Sequence, residues 1–181
     1  MTRSVIRLKT TPEDHRIARL AAAAIALALT DSAIPLPLPG IRLGLANSVT
    51  LVALARYGWT AAAWVTGLRV VACGLLLGHF LSPAFFMSLA GALCSLCALA
   101  LSIRLSRRCF GPLTWSLFAA FAHIAGQLSL ARLWLIPDNG LFYLVPLFAA
   151  AALVSGTVNG LIAARLLNEP KPACALETRN A

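Results

Sequence analysis

Residues 35–47 read Pro-Leu-Pro-Leu-Pro-Gly-Ile-Arg-Leu-Gly-Leu-Ala-Asn. Three prolines in five positions remove three backbone N–H donors, so no helix can run through the segment. Long apolar runs lie on both sides of it, and Arg42 and Asn47 stand where the second run begins. The stretch therefore reads as a break between two apolar helices. Polar groups there would be expensive in an apolar solvent unless they have partners.

The composition says what that solvent is. The chain has 181 residues, 60% hydrophobic and 12% charged, with a mean hydropathy of +0.83. Soluble domains carry about a quarter charged residues, so this is an integral membrane protein. At roughly 20 apolar residues per crossing there is room for a helix bundle and for no soluble domain besides. The net charge of +9 is spread by topology and not gathered into a basic stripe with aromatics, which argues against a nucleic-acid partner. The basic residues before the first apolar run resemble the start of a signal peptide. Glu13, Asp14 and the length of the polar segment point instead to a retained first helix.

We read six spans, over residues 17–34, 41–56, 59–81, 83–103, 113–135 and 141–167, an all-α polytopic bundle. A cytoplasmic N-terminal segment (1–16) precedes it and a polar, disordered tail (168–181) follows. With the N-terminus inside, Arg16, Arg19, Arg56, Arg104, Arg107, Arg108 and Arg165 fall on the inner side, and the outer loops hold little beyond Arg42 and Arg132. Both termini are then cytoplasmic in a bacterial inner membrane.

Depth follows from the rise of about 1.5 Å per residue. Arg69 and His123 fall near the midplane, Gln127 further out, and Asp31, Arg42, Asn47 and Arg132 in the outer third. His123 and Gln127 share a helix face. The convergence is that of a polar, outward-opening pocket for an anionic or hydrogen-bonding small molecule, above an apolar, closed inner half. In the alternative, Asp31 neutralises Arg69 and the other groups make ordinary interhelical hydrogen bonds. The candidate ligand-binding residues are Arg42, Asn47, Arg69, His123 and Gln127.

Ala18, Ala22 and Ala26 recur every four residues on the first helix, a face that a second helix could approach closely; an alanine-rich composition would give the same pattern. The pairs Gly40/Gly44, Gly74/Gly78 and Gly156/Gly160 have the spacing of close helix packing within the bundle. Cys94 and Cys97 lie inside an apolar run and read as packing residues, so no metal site is expected. Catalytic motifs are lacking: no aspartate-rich pair for magnesium and diphosphate, no Ser-His-Asp set, no H-E-x-x-H and no P-loop. The expectation is a protein that is not an enzyme, without a cofactor, whose energy source would be another chain.

Pro39-Gly-Ile-Arg-Leu-Gly-Leu-Ala-Asn47, Arg69-Val70 followed by Gly74 and Gly78, Ser88-Leu-Ala-Gly91 and His123-Ile-Ala-Gly-Gln127 together resemble the Gx transporter family, also labelled heptaprenyl diphosphate synthase component I. The resemblance covers roughly residues 20–167. That family is similar to the S-components of energy-coupling factor vitamin transporters, which are six-helix proteins with an outward-facing site. The resemblance implies a substrate-binding subunit served by a transmembrane coupling subunit with ATPases, docked through Ala18, Ala22 and Ala26. The second label implies an accessory membrane subunit of isoprenoid or quinone metabolism. Asp14, Asp31 and Asp138 are too scattered to make this chain catalytic there.

Overall fold

A computed structural model describes residues 11–33, 44–105, 111–135 and 139–167. Every regular element among them is helical: α1 (Pro12–Ala33), α2 (Ala46–Tyr57), α3 (Trp59–Leu76), α4 (Pro83–Leu105), α5 (Pro112–Leu130) and α6 (Val145–Leu167). A π-helical turn, Ala131–Leu135, prolongs α5, and a 3₁₀ turn, Asn139–Leu144, leads into α6.

Local chemistry sets the boundaries. Helix α1 starts five residues before the expected span because Thr11 and Asp14 form a reciprocal cap. The Thr11 N–H donates to Asp14 Oδ2 at 2.8 Å, and the Asp14 N–H donates to Thr11 Oγ1 at 3.3 Å. Helix α3 ends at Leu76 and not at Leu81, as its hydropathy predicts. Gly78 takes φ +69°, and the N–H groups of Gly78 and His79 bond back to the carbonyls of Leu75 and Gly74, closing the helix with a left-handed residue. Between α2 and α3 the turn is a single residue, Gly58 at φ +86°. Ser82 and Pro83 then open α4: the Ser82 hydroxyl accepts the Phe85 N–H at 3.4 Å.

Among the described residues, four helices are long and apolar enough to cross a membrane: Trp59–Leu76, Pro83–Arg104, Pro112–Leu135 and Gly140–Leu167. The chain is a multi-pass membrane protein. The expected count of six crossings is not reached by the same standard. Helix α1 carries Glu13, Asp14, Arg16 and Arg19 in its first two turns. Helix α2 has 12 residues, a rise of about 18 Å against a hydrocarbon core of about 30 Å.

The short helix is the hub. Helix α2 packs against α1, α3, α5 and α6, while α3 meets α4, α4 meets α5 and α5 meets α6. Its residues Ala46, Ser48–Leu51, Ala53 and Leu54 are all buried. They belong to an apolar cluster that includes Ala24, Ala62, Val65, Leu99 and Ala163, flanked by Ile17, Leu20, Ile103 and Trp115. That cluster unites the start of α1 with the ends of α2, α4 and α6. It thereby places Arg16, Arg19, Arg56, Arg104 and Arg165 at one end of the bundle, where Arg56 Nη2 donates to the Leu166 carbonyl at 2.8 Å. Exposed Tyr57 and Trp59 mark this basic end, and exposed Trp134, Phe142 and Tyr143 the other, the places aromatic side chains take at membrane interfaces. The Arg132 guanidinium lies 5.8 Å from the Phe142 ring centroid.

Glycines set the closest approaches. A Cβ at Gly160 would lie 2.8 Å from Leu113 Cα, and one at Gly156 3.1 Å from Ala120 Cβ. The Gly156/Gly160 pair is therefore intramolecular packing of α6 on α5. Gly74 serves Phe85 in the same way, whereas a Cβ at Gly78 would meet nothing within 4 Å. Gly40 lies outside the described residues.

Candidate functional site

Arg69 is the costliest residue in the fold. It stands in the apolar helix α3 with 9% of its surface exposed, and its guanidinium cannot shed its charge by deprotonation. Its Nη1 donates to Asn47 Oδ1 at 2.8 Å, a charge-assisted bond to the first turn of α2. Asp31, at the end of α1 and 4% exposed, accepts the Gly44 N–H on Oδ2 at 2.7 Å. The carboxylate meets the entry to α2, where unpaired N–H groups favour negative charge. Asp31 is also near enough to attract Arg69. One acid and one base thus fix α1 and α3 to the same end of α2.

These groups line a cavity of about 330 Å³, at the low end of the roughly 300–1,000 Å³ of small-molecule sites. All six helices contribute to its wall: Ala28 and Asp31 from α1, Ala46 and Asn47 from α2, Arg69 and Cys73 from α3. Helix α4 adds Met87 and Ser88, α5 adds His123 and Gln127, and α6 adds Phe148 and Ser155. Most of the remaining lining is apolar, from Val70, Ala84, Ile124, Leu128 and Ala151. The cavity occupies the half of the bundle away from Arg16, Arg19, Arg56, Arg104 and Arg165, since it takes the end of α1, the start of α2 and α4, and the end of α5.

His123 and Gln127 reach the wall because Gly91 leaves space for them. A Cβ there would come 2.8 Å from His123 Nε2 and 2.9 Å from Gln127 Cγ. Opposite, a Cβ at Gly126 would strike the Ala90 carbonyl oxygen at 2.9 Å and Cys94 Sγ at 2.7 Å, so α4 and α5 touch backbone to backbone. His123 Nδ1 is buried and has no hydrogen-bond partner among the described residues. A buried orphan nitrogen is uncommon, and here it stands on a helix whose next turn supplies the Gln127 amide.

Of the residues predicted to bind a ligand, Asn47, Arg69, His123 and Gln127 therefore meet around one cavity, and Arg42 lies outside the described residues. Arg132 is held at Phe142 and is not part of the lining. Ala18, Ala22 and Ala26 are exposed on α1, while Ala21 and Ala24 turn inward. The sequence reading missed a band of buried polar residues below the cavity: Thr50, Thr66, Ser95, Ser116 and Asn159. A signal was available. Ser116 stands seven residues before His123, Ser95 seven after Ser88, and Asn159 four after Ser155, so each shares a face with a cavity residue.

A family model, described as heptaprenyl diphosphate synthase component I, matches residues 20–166. The chain belongs to the heptaprenyl diphosphate synthase component I family. Comparison with curated proteins gives no match, and comparison with solved structures gives none either. The matched residues run from α1 through α6 and omit the first turns of α1. Among the described residues, Arg69 and Asp31 are the charged side chains facing the cavity.

Proposed function

We propose that the chain is the solute-binding membrane subunit of a transporter, not itself an enzyme, relying on a separate ATP-driven module. The observation that carries this is the cavity: Asn47, Arg69, His123 and Gln127 come from three different helices and share one 330 Å³ space. A purely structural role for Arg69 would need only its bond to Asn47. It would not need the further polar side chains of Asp31, Ser88, His123, Gln127 and Ser155 around an open volume of ligand size.

The lining also speaks to the solute. One guanidinium and one carboxylate balance, which favours a small neutral, zwitterionic or singly anionic molecule whose apolar part meets Met87, Leu128 and Phe148. A diphosphate is a poor fit. It is ordinarily held through magnesium on carboxylates or by several cations, and Asp31 would repel it. By the positive-inside rule the arginine-rich end is cytoplasmic, which turns the cavity outward. In this reading α1 and α2 complete a bundle of six crossings in a bacterial inner membrane, both termini are inside, and the exposed alanines of α1 meet a coupling subunit.

The family description favours a second reading, an accessory membrane partner of a prenyl-chain-elongating synthase, which likewise would not be catalytic. Purification of the tagged chain from its native membrane separates the two. Co-purification of a transmembrane coupling protein with ATPases is expected. Recovery of a soluble synthase with aspartate-rich motifs in its place would establish the second reading.

A further inference from the structure

Beneath the solute cavity lies a second, far smaller chamber of about 10 Å³, lined by Asn47, Thr50, Ser95, Ser116 and Asn159 with Leu51, Leu99, Ala119 and Ala120. Its size is that of one water molecule, for which the lower bound is about 10–15 Å³ and two to four polar partners. Its position is deep: Thr50, Ser95, Ser116 and Asn159 are 5%, 8%, 3% and 2% exposed.

Three of the buried hydroxyls of the bundle, those of Thr50, Ser95 and Ser116, face this chamber. Among the described residues six serine and threonine side chains are buried, at positions 48, 50, 66, 95, 102 and 116. Ser48 donates to the Leu45 carbonyl at 2.6 Å and Ser102 to the Ala98 carbonyl at 2.7 Å, the local bonds that such residues make within a helix. Thr50 and Thr66 bond each other at 3.3 Å. Ser95 and Ser116 have no hydrogen bond among the described residues, and both line the chamber. The chamber thus gathers hydroxyls from α2, α4 and α5 with the amides of Asn47 and Asn159 around a space that a single bridging molecule fits.

We infer that the chamber is a binding site for a single water molecule. The water bridges the Ser95 hydroxyl of α4 and the Ser116 hydroxyl of α5 to the amide side chains of α2 and α6, and so fixes the Asn47 amide that holds Arg69. Water is preferred to a monovalent cation. The lining offers neutral oxygens and no carboxylate, and Asn47 already carries the Arg69 guanidinium at 2.8 Å, so a second positive charge would be repelled there. The site concerns the protein alone. It stands or falls independently of whether the larger cavity takes a solute.

The test is a high-resolution structure of the full chain in sodium-free and sodium-containing buffer, for wild type and for Ser95→Ala, Ser116→Ala and the double variant. In wild type, one density peak within hydrogen-bond distance of Ser95 and Ser116 is expected, the same in both buffers. In the double variant the peak is lost and the Asn47–Arg69 contact lengthens or changes rotamer. A dry chamber in wild type would overturn the inference. So would a peak, or a melting temperature, that depends on sodium. If the peak vanishes and the Asn47–Arg69 contact stays as it is, the positioning role falls.

Discussion

Replacing Gly160 by alanine puts one methyl group where α6 meets α5. Its Cβ would lie 2.8 Å from Leu113 Cα, 2.8 Å from Leu113 Cδ1 and 3.1 Å from Ser116 Cβ. Carbon atoms settle at about 3.5–4.0 Å, so the overlap with the Leu113 backbone is roughly 0.7 Å or more. A backbone atom cannot rotate aside, and relief requires α5 and α6 to part, at the cost of contacts along both. Overpacking of this kind costs about 1–3 kcal/mol, and the better helix propensity of alanine returns up to about 1 kcal/mol. With the full propensity gain the net loss is roughly 0–2 kcal/mol, toward the upper end because the contact is with backbone. Gly67→Ala is the matched control, because a Cβ there meets nothing within 4 Å; it keeps the propensity gain without the clash. Unfolding of the purified chain in mild detergent, followed by circular dichroism, should rank Gly67→Ala at or above wild type and Gly160→Ala clearly below. Equal melting of the two variants would refute the close-packed α5–α6 interface.

Two further perturbations probe the ends of the account. The Asp14 carboxyl is held below its ordinary value by the N–H and hydroxyl of Thr11. Its capping contribution is therefore complete above the unfolded value of 3.8 and fades as the pH falls through the lower folded one. Hydrogen-exchange protection of the first turn of α1 should drop as the pH falls below about 4 in wild type, and Asp14→Asn should abolish that pH dependence. Ala22→Leu adds bulk to an exposed face of α1, so melting of the isolated chain should not change. Recovery of the coupling partner should fall, and an unaffected complex would remove the docking role of Ala18, Ala22 and Ala26.

Much of this fold is legible in the sequence because lipid leaves few options: apolar runs must be helical to satisfy their backbones. The break at Gly58, the ends of α4 and the convergence of Asn47, Arg69, His123 and Gln127 follow from helical periodicity and depth. What periodicity cannot supply is which helix lies at the centre. Helix α2 has 12 residues and reads as the weakest span, yet it is the one most enclosed. The same blindness hid Ser95, Ser116 and Asn159. A serine in an apolar helix can bond its own preceding turn, as Ser102 does, and only the face it shares with a cavity residue tells that case from one facing a shared chamber. The end of α3 was missed for a simpler reason: Leu76, Leu77 and Leu81 continue the hydropathy past Gly78, where the backbone turns.

The central claim is that the cavity around Arg69 holds a small solute. Native mass spectrometry of the chain released from detergent, wild type beside Arg69→Ala, tests it most directly. Wild type should carry a stoichiometric small-molecule adduct. The variant should have lost it while still folded, though less stable by about 1.5–3 kcal/mol for the lost bond between Arg69 and Asn47. An adduct retained by Arg69→Ala with unchanged melting would contradict the account.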